Sequence, residues 1–150
     1  MFRNRRVVIA LALSATLSLL IAGTASASHA VLVRGSGTLK GTWHMDFDSG
    51  TFHATHANAQ DMKLSVQGTT DNRRFLAPDP GSIIAKYGST KPSYSQCQAS
   101  DLEPAPIALS NLPNGTWLCL RTAEYHLVRF QLTQKHPYPG GVDLTFTTWK

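Results

Sequence analysis

This 150-residue sequence lacks a GxSxG elbow, a glycine-rich phosphate loop and any basic run longer than Arg73-Arg74, and it holds only two cysteines. Each absence excludes a class of chemistry. Neither Cys97 nor Cys119 has CxxC spacing or an adjacent histidine, so thiol redox catalysis and zinc binding through them have no support. No aromatics are interleaved with basic residues, which leaves nothing for a nucleic-acid surface to rest on, and Arg73-Arg74 reads as a solvated turn. Asp46-Phe-Asp-Ser-Gly50 lacks the later glutamate and the ligand rhythm of a calcium loop. There is no internal repeat, low-complexity tract or linker. No cofactor is implied.

What is present begins with an export pattern. Arg3, Arg5 and Arg6 precede a mostly apolar run from Val7 to Ala22, and small residues follow at Ala25-Ser-Ala27 and Ser28-His-Ala30. This reads as a signal peptide over residues 1–27, with cleavage as late as residue 30. The run is shorter than the roughly 20 residues of a membrane helix and leads into a cleavage site, so no membrane insertion is expected after its removal. No cysteine stands near that site for lipid anchoring. The signal holds three of the fourteen basic residues and none of the nine acidic ones, so the remainder carries eleven against nine, or +2, and the pI near 9.5 is largely a property of the tag.

Residues 28–150 suffice for one domain with its own core. In an exported chain Cys97 and Cys119 are expected to form a disulfide, the alternative being two buried thiols beside Leu118 and Leu120.

Along this domain the apolar period is two. Leu39, Trp43, Met45 and Phe47 alternate with polar residues, as do Met62, Leu64 and Val66, and Val142, Leu144 and Phe146. Further β-like runs are Arg74 to Leu76, Ser82 to Lys86, Ile107 to Ser110, Trp117 to Arg121 and Tyr125 to Leu132, and every proline falls in or beside a break between such runs. The pattern predicts an all-β fold, an antiparallel β-sandwich or barrel of about eight short strands with one disulfide. Alanine-rich His53 to Asp61 is the segment with a helical alternative. Arg121 and Arg129 are expected to reach solvent.

The stretch from Trp43 to His56 packs three histidines and two aspartates into fourteen residues. With Ser49-Gly50 at the tip of a hairpin, Phe47 would face Phe52, Met45 would face Ala54 and Trp43 would face His56, while Asp46 would face His53 on the polar side. A solvated Asp/His pair then needs no metal. The sharper reading takes His44, Asp46 and His53 as ligands of Zn²⁺ or another transition metal in a small hydrolase, although their spacing matches no specific metal motif.

The segment Leu112-Pro-Asn-Gly-Thr-Trp-Leu-Cys-Leu-Arg-Thr122 is the most distinctive. Its pattern Leu-x-x-Gly-Thr-x-x-Cys-x-Arg-Thr resembles that of small secreted actinobacterial single-disulfide β-domain proteins, which also carry an early Asp-x-Asp-[ST]-Gly, here Asp46 to Gly50, and a closing strand ending in Trp, here Trp149. The sequence departs from that pattern after Arg121-Thr122, where Glu124 is followed by Tyr125-His126 in place of Glu-Gly-Arg. The resemblance implies a scaffold at the cell wall or outside the cell and no active-site residue. The expected role is a secreted or cell-envelope binding module without catalytic activity, its partner a protein or a cell-wall glycan. The rivals are the metal-dependent hydrolase and a secreted protease inhibitor presenting Asp101 to Pro106.

Overall fold

The period-two segments become strands, and the strands stack as two five-stranded antiparallel sheets. The computed structural model describes residues 29–55 and 59–150; the expected signal peptide, residues 1–27, lies outside the described residues, as does His56. The first sheet runs in the order β1 (Val31–Leu39), β10 (Val142–Trp149), β9 (Leu127–Lys135), β8 (Thr116–Arg121), β6 (Ile83–Gly88). The second runs β3 (Thr51–His53), β2 (His44–Asp46), β4 (Met62–Val66), β5 (Arg74–Pro78), β7 (Ile107–Ala108). The fold is thus a sandwich. Among the described residues it has ten strands where about eight were expected: the run beginning at Leu39 divides, Leu39 ending β1, residues 40–43 turning and β2 starting afresh, and the return of the hairpin adds β3.

Alternation sends one face of each sheet inward. Leu118, Leu120, Val128, Phe130, Leu132, Leu144 and Phe146 meet Met45, Met62, Leu64 and Leu76 in one core. Burying each such side chain contributes about 1.5–3 kcal/mol. Phe47 lies between the layers, its ring 5.2 Å from that of Phe130 and 5.3 Å from that of Phe146. Two glycines let β1 close this edge. A Cβ on Gly35 would stand 2.6 Å from the Phe146 ring, and one on Gly37 would stand 2.5 Å from that of Phe52.

The other face of the first sheet carries a smaller cluster: Cys97, Cys119, Leu127 and Trp149, with Tyr87, Tyr94 and Leu102 packed against it. It is covered by α1 (Tyr94–Gln98), which begins in a capping box, Gln96 N–H donating to Ser93 Oγ and Ser93 N–H to Gln96 Oε1. The helix therefore sits here, and among the described residues of 53–61 there is none. Cys97 and Cys119 are disulfide-bonded, pinning α1 to β8 across a separation of 22 residues. A disulfide-bonded domain is consistent with an extracellular protein. Loop-closure entropy gives this bond about 3 kcal/mol. Thermal unfolding with and without a phosphine reductant should show a loss of that order; a loss under about 1 kcal/mol would mean that α1 holds its place unaided.

Arg121 is exposed as expected, but Arg129 and Arg74 are not. Arg129 does not extend into solvent: its guanidinium lies 4.8 Å from the Trp149 ring and donates to Pro92 O at 2.8 Å. Arg74 is no turn residue either, being 1 % exposed while Arg73 faces solvent. Its Nη1 donates to His136 O at 2.9 Å and its Nη2 to Gly140 O at 2.6 Å, so one planar fork gathers the carbonyls of the loop joining β9 to β10. Among the described residues, no helix is long and apolar enough to cross a membrane.

Candidate functional site

The hairpin that carries most of the candidate residues forms, but two positions away from the expected register. Met45 faces Phe52, Asp46 faces Thr51 and His44 faces His53. The reason lies in Phe47. Its N–H donates to Asp61 Oδ2 at 2.8 Å and its carbonyl accepts from Thr148 Oγ1 at 2.7 Å, so both backbone groups leave the ladder. Asp46 then closes a four-residue turn by itself, Oδ1 accepting from the N–H groups of Asp48 and Ser49 and Oδ2 from Ser49 Oγ. Gly50, at φ 74°, completes the turn with N–H to Asp46 O.

The predicted ligands do not converge. His44 is buried and its Nδ1 meets Asp79 Oδ2 at 2.8 Å. His53 reaches Asp46 only through a chain of hydroxyls: Nε2 to Thr51 Oγ1 at 2.8 Å, then Ser49 Oγ at 2.7 Å, then Asp46 Oδ2 at 2.6 Å. That chain is also no catalytic triad. The base of a triad stands between nucleophile and carboxylate, whereas here a serine contacts the carboxylate directly and the histidine ends the line.

The closest carboxylates are others. Asp46, Asp48 and Asp61 each place one oxygen within 4.8 Å of the rest. Their oxygens are largely taken by the protein itself: Asp46 accepts three bonds, and Asp61 accepts one on each oxygen, from Phe47 N–H and from Ser82 Oγ. Asp48 Oδ1 meets His126 Nδ1 at 3.0 Å, leaving Asp48 Oδ2 buried without a donor from any N–H or hydroxyl. The Glu124 carboxyl stands beside Asp48.

These residues make one end of the sandwich acidic. Asp46, Asp48, Asp61, Asp79 and Glu124 are five of the nine acidic residues in the chain, and among the described residues their ion-pair partners are the histidines His44 and His126. Burial pushes the fully enclosed Asp61 carboxyl up to about 7, the charges of Asp48 and Asp46 adding to the effect while Phe47 N–H and Ser82 oppose it. Its hydrogen bond to Asp48 drives Glu124 above the ordinary carboxylate range.

The opposite end is different. Where β6 ends and β8 begins, a cleft of about 490 Å³ opens over Gly88 and Gly115, lined by Lys86, Ser89, Asn114 and Gln131. A Cβ on Gly88 would touch nothing within 4 Å, and one on Gly115 only Gln131 Nε2 at 3.9 Å. The lining holds amides, hydroxyls and one ammonium, and no carboxylate. Trp117 stands beside it, paired in the ladders with Gly88 and Gln131. The loop expected of an inhibitor is exposed from Glu103 to Pro106, and Glu103 is bonded to Ile84 in both directions.

Nothing in residues 43–56 pointed to Asp61, Glu124 or His126, which arrive from distant loops. Glu124 and His126 lie in the turn that follows Arg121-Thr122. Comparison with protein-family models, with curated proteins and with solved structures finds no match to the chain.

Proposed function

We propose that the chain is a secreted or cell-envelope binding module without catalytic activity, and that the cleft over Gly88 and Gly115 takes a cell-wall glycan. The observation that carries this reading is the lining of that cleft, which includes the amides of Asn114 and Gln131, the hydroxyls of Ser89 and Thr116, one lysine and no negative charge. Such a surface suits hydroxyl and acetamide groups and tolerates a carboxylate on the sugar. Its size is in the range of ligand sites, about 300–1,000 Å³. The disulfide and the resemblance to small secreted actinobacterial β domains support the location outside the cytoplasm. The hydrolase reading is weaker, because His44 and His53 are turned to separate partners.

Soluble peptidoglycan fragments, titrated onto the protein followed by ¹⁵N spectra, should move amides of residues 86–89 and 113–116. Gln131→Ala should weaken binding about tenfold, the effect of one lost hydrogen bond of roughly 1.4 kcal/mol. Shifts confined to other surfaces, or none at millimolar fragment, would reject the site; release of shortened glycan would reject the absence of catalysis.

A further inference from the structure

The acidic end joins parts that the fold otherwise keeps apart. Asp46 ends β2 and Asp48 stands in the turn between β2 and β3 in one sheet, while Glu124 and His126 belong to the turn between β8 and β9 in the other. Beneath them lies Asp61, just ahead of β4, with no exposed surface. Asp48 Oδ2 is enclosed and lacks a donor, and its carboxylic neighbour Glu124 can supply one only while it carries a proton.

We propose that this end is a proton-operated latch, in which protonated Glu124 donates to Asp48 across the two turns over a protonated Asp61, and loss of these protons lets the turns part. Deprotonation leaves Asp46, Asp48, Asp61 and Glu124 as four like charges in a small, partly enclosed volume. Carboxylates this close cannot all ionise without repulsion.

The surrounding groups act in the same sense or are neutral to it. From the β8–β9 turn, His126 faces Asp48, its Nδ1 3.0 Å from Asp48 Oδ1, and holds the two turns together at that point. Arg121, on β8, lies over the ring of Tyr125, 5.7 Å from its centroid, rather than on a carboxylate. From the β5–β6 turn, Ser82 bonds Asp61, and Asp79 is held by His44. From β10, the uncharged Thr148 holds Phe47 O and keeps the base of the turn attached. Opening is therefore confined to the tips, where Tyr125, 79 % exposed and at φ 68°, is already poised outward. The latch stands at the end of the first sheet away from the glycan cleft and does not depend on it.

Amide hydrogen exchange of the intact protein between pH 5.5 and 8.5, corrected for intrinsic rates, tests this directly. Protection of the hydrogen-bonded amides of Ser49, Gly50, Tyr125 and His126 should fall by up to about tenfold for each pH unit as pH rises toward neutrality, the slope of an opening that releases one proton, and should level off above it. Glu124→Gln, which keeps a donor facing Asp48 at any pH, should flatten much of the slope; combined with Asp61→Asn it should abolish it. His126→Asn, which keeps a donor to Asp48 without titrating, should leave the slope in place. The proposal fails if wild-type protection is the same at pH 6 and pH 8, or if the slope survives the double variant and disappears with His126→Asn. Carbon-13 titration of the wild type gives a check free of mutation: Asp61 and Glu124 releasing protons independently near pH 4 would also overturn it.

Discussion

Replacing Arg74 by alanine should destabilise the domain by about 3–5 kcal/mol, a large part of the roughly 5–15 kcal/mol that holds a typical domain folded. The side chain is enclosed, and its two terminal nitrogens serve His136 O, Gly140 O, Gly141 O and Asp71 Oδ1. Truncation removes the packed stem and strands those acceptors; each buried carbonyl left without a donor costs about 1–3 kcal/mol. Arg74→Lys should recover less than half, because one ammonium cannot reproduce a fork that bonds His136 O and Gly140 O from separate nitrogens. Urea denaturation of the three proteins decides it. A loss below 1 kcal/mol in Arg74→Ala would mean that the loop from His136 to Gly141 holds its form without the guanidinium.

Stability should fall as pH rises from about 4 to 7, the reverse of what paired carboxylates usually produce. The sign follows from Asp61, raised from 3.8 in the unfolded chain to about 7 in the fold. Below pH 3.8 both states keep the proton and the group costs nothing. Between 3.8 and 7 the unfolded chain releases it while the fold retains it, so unfolding becomes progressively easier; above 7 both are ionised and the loss levels off. A shift of this size corresponds to at most about 4 kcal/mol, and local opening of the turns reduces it. Asp143 works the other way at lower pH. Thr38 Oγ1 first, and then His136, hold its carboxyl below 3.8, so its contribution is lost in acid below that value. Asp61→Asn can keep a carbonyl toward Phe47 N–H and turn an amide to Ser82, so it should match wild type near pH 4 and exceed it at pH 8. Chemical denaturation at those two pH values is the test; a variant weaker than wild type at pH 8 would show that the ionised carboxylate is stabilising where it lies.

The elements legible in the sequence were those whose pattern is local. Met62–Val66 alternates without interruption between turns and is strand β4, and Thr116 to Arg121 follows its Pro-Asn-Gly turn as β8. β1 went unseen because Gly35 and Gly37 interrupt the alternation; they exist for Phe146 and Phe52, over 100 and 15 residues away in sequence. The five-residue helix α1 is too short to show a 3.6 period, and only its box of Ser93 and Gln96 announces it. The hairpin slipped by two because the partners of Phe47's backbone, Asp61 and Thr148, lie outside the hairpin. The acidic end was illegible for the same reason. Asp46 and Asp48 were visible, but Asp61 and Glu124 acquire their character from burial and proximity, which no local spacing encodes.

The pairing of β1 with β10 bears on how the domain responds to pulling. Val31 stands opposite Trp149, and Lys150 N–H donates to Ala30 O, so the two ends of the described domain emerge side by side. Tension applied between them meets the ladder in an unzipping geometry, breaking its bonds one after another, whereas strands pulled from opposite ends would resist with all of them at once. β1 is the strand that peels first, and its departure uncovers Phe146 and Phe52 while the Cys97–Cys119 bridge keeps α1 fastened to β8. Stretching therefore yields an intermediate with a bare aromatic edge, a surface on which another extended segment can take the vacated place.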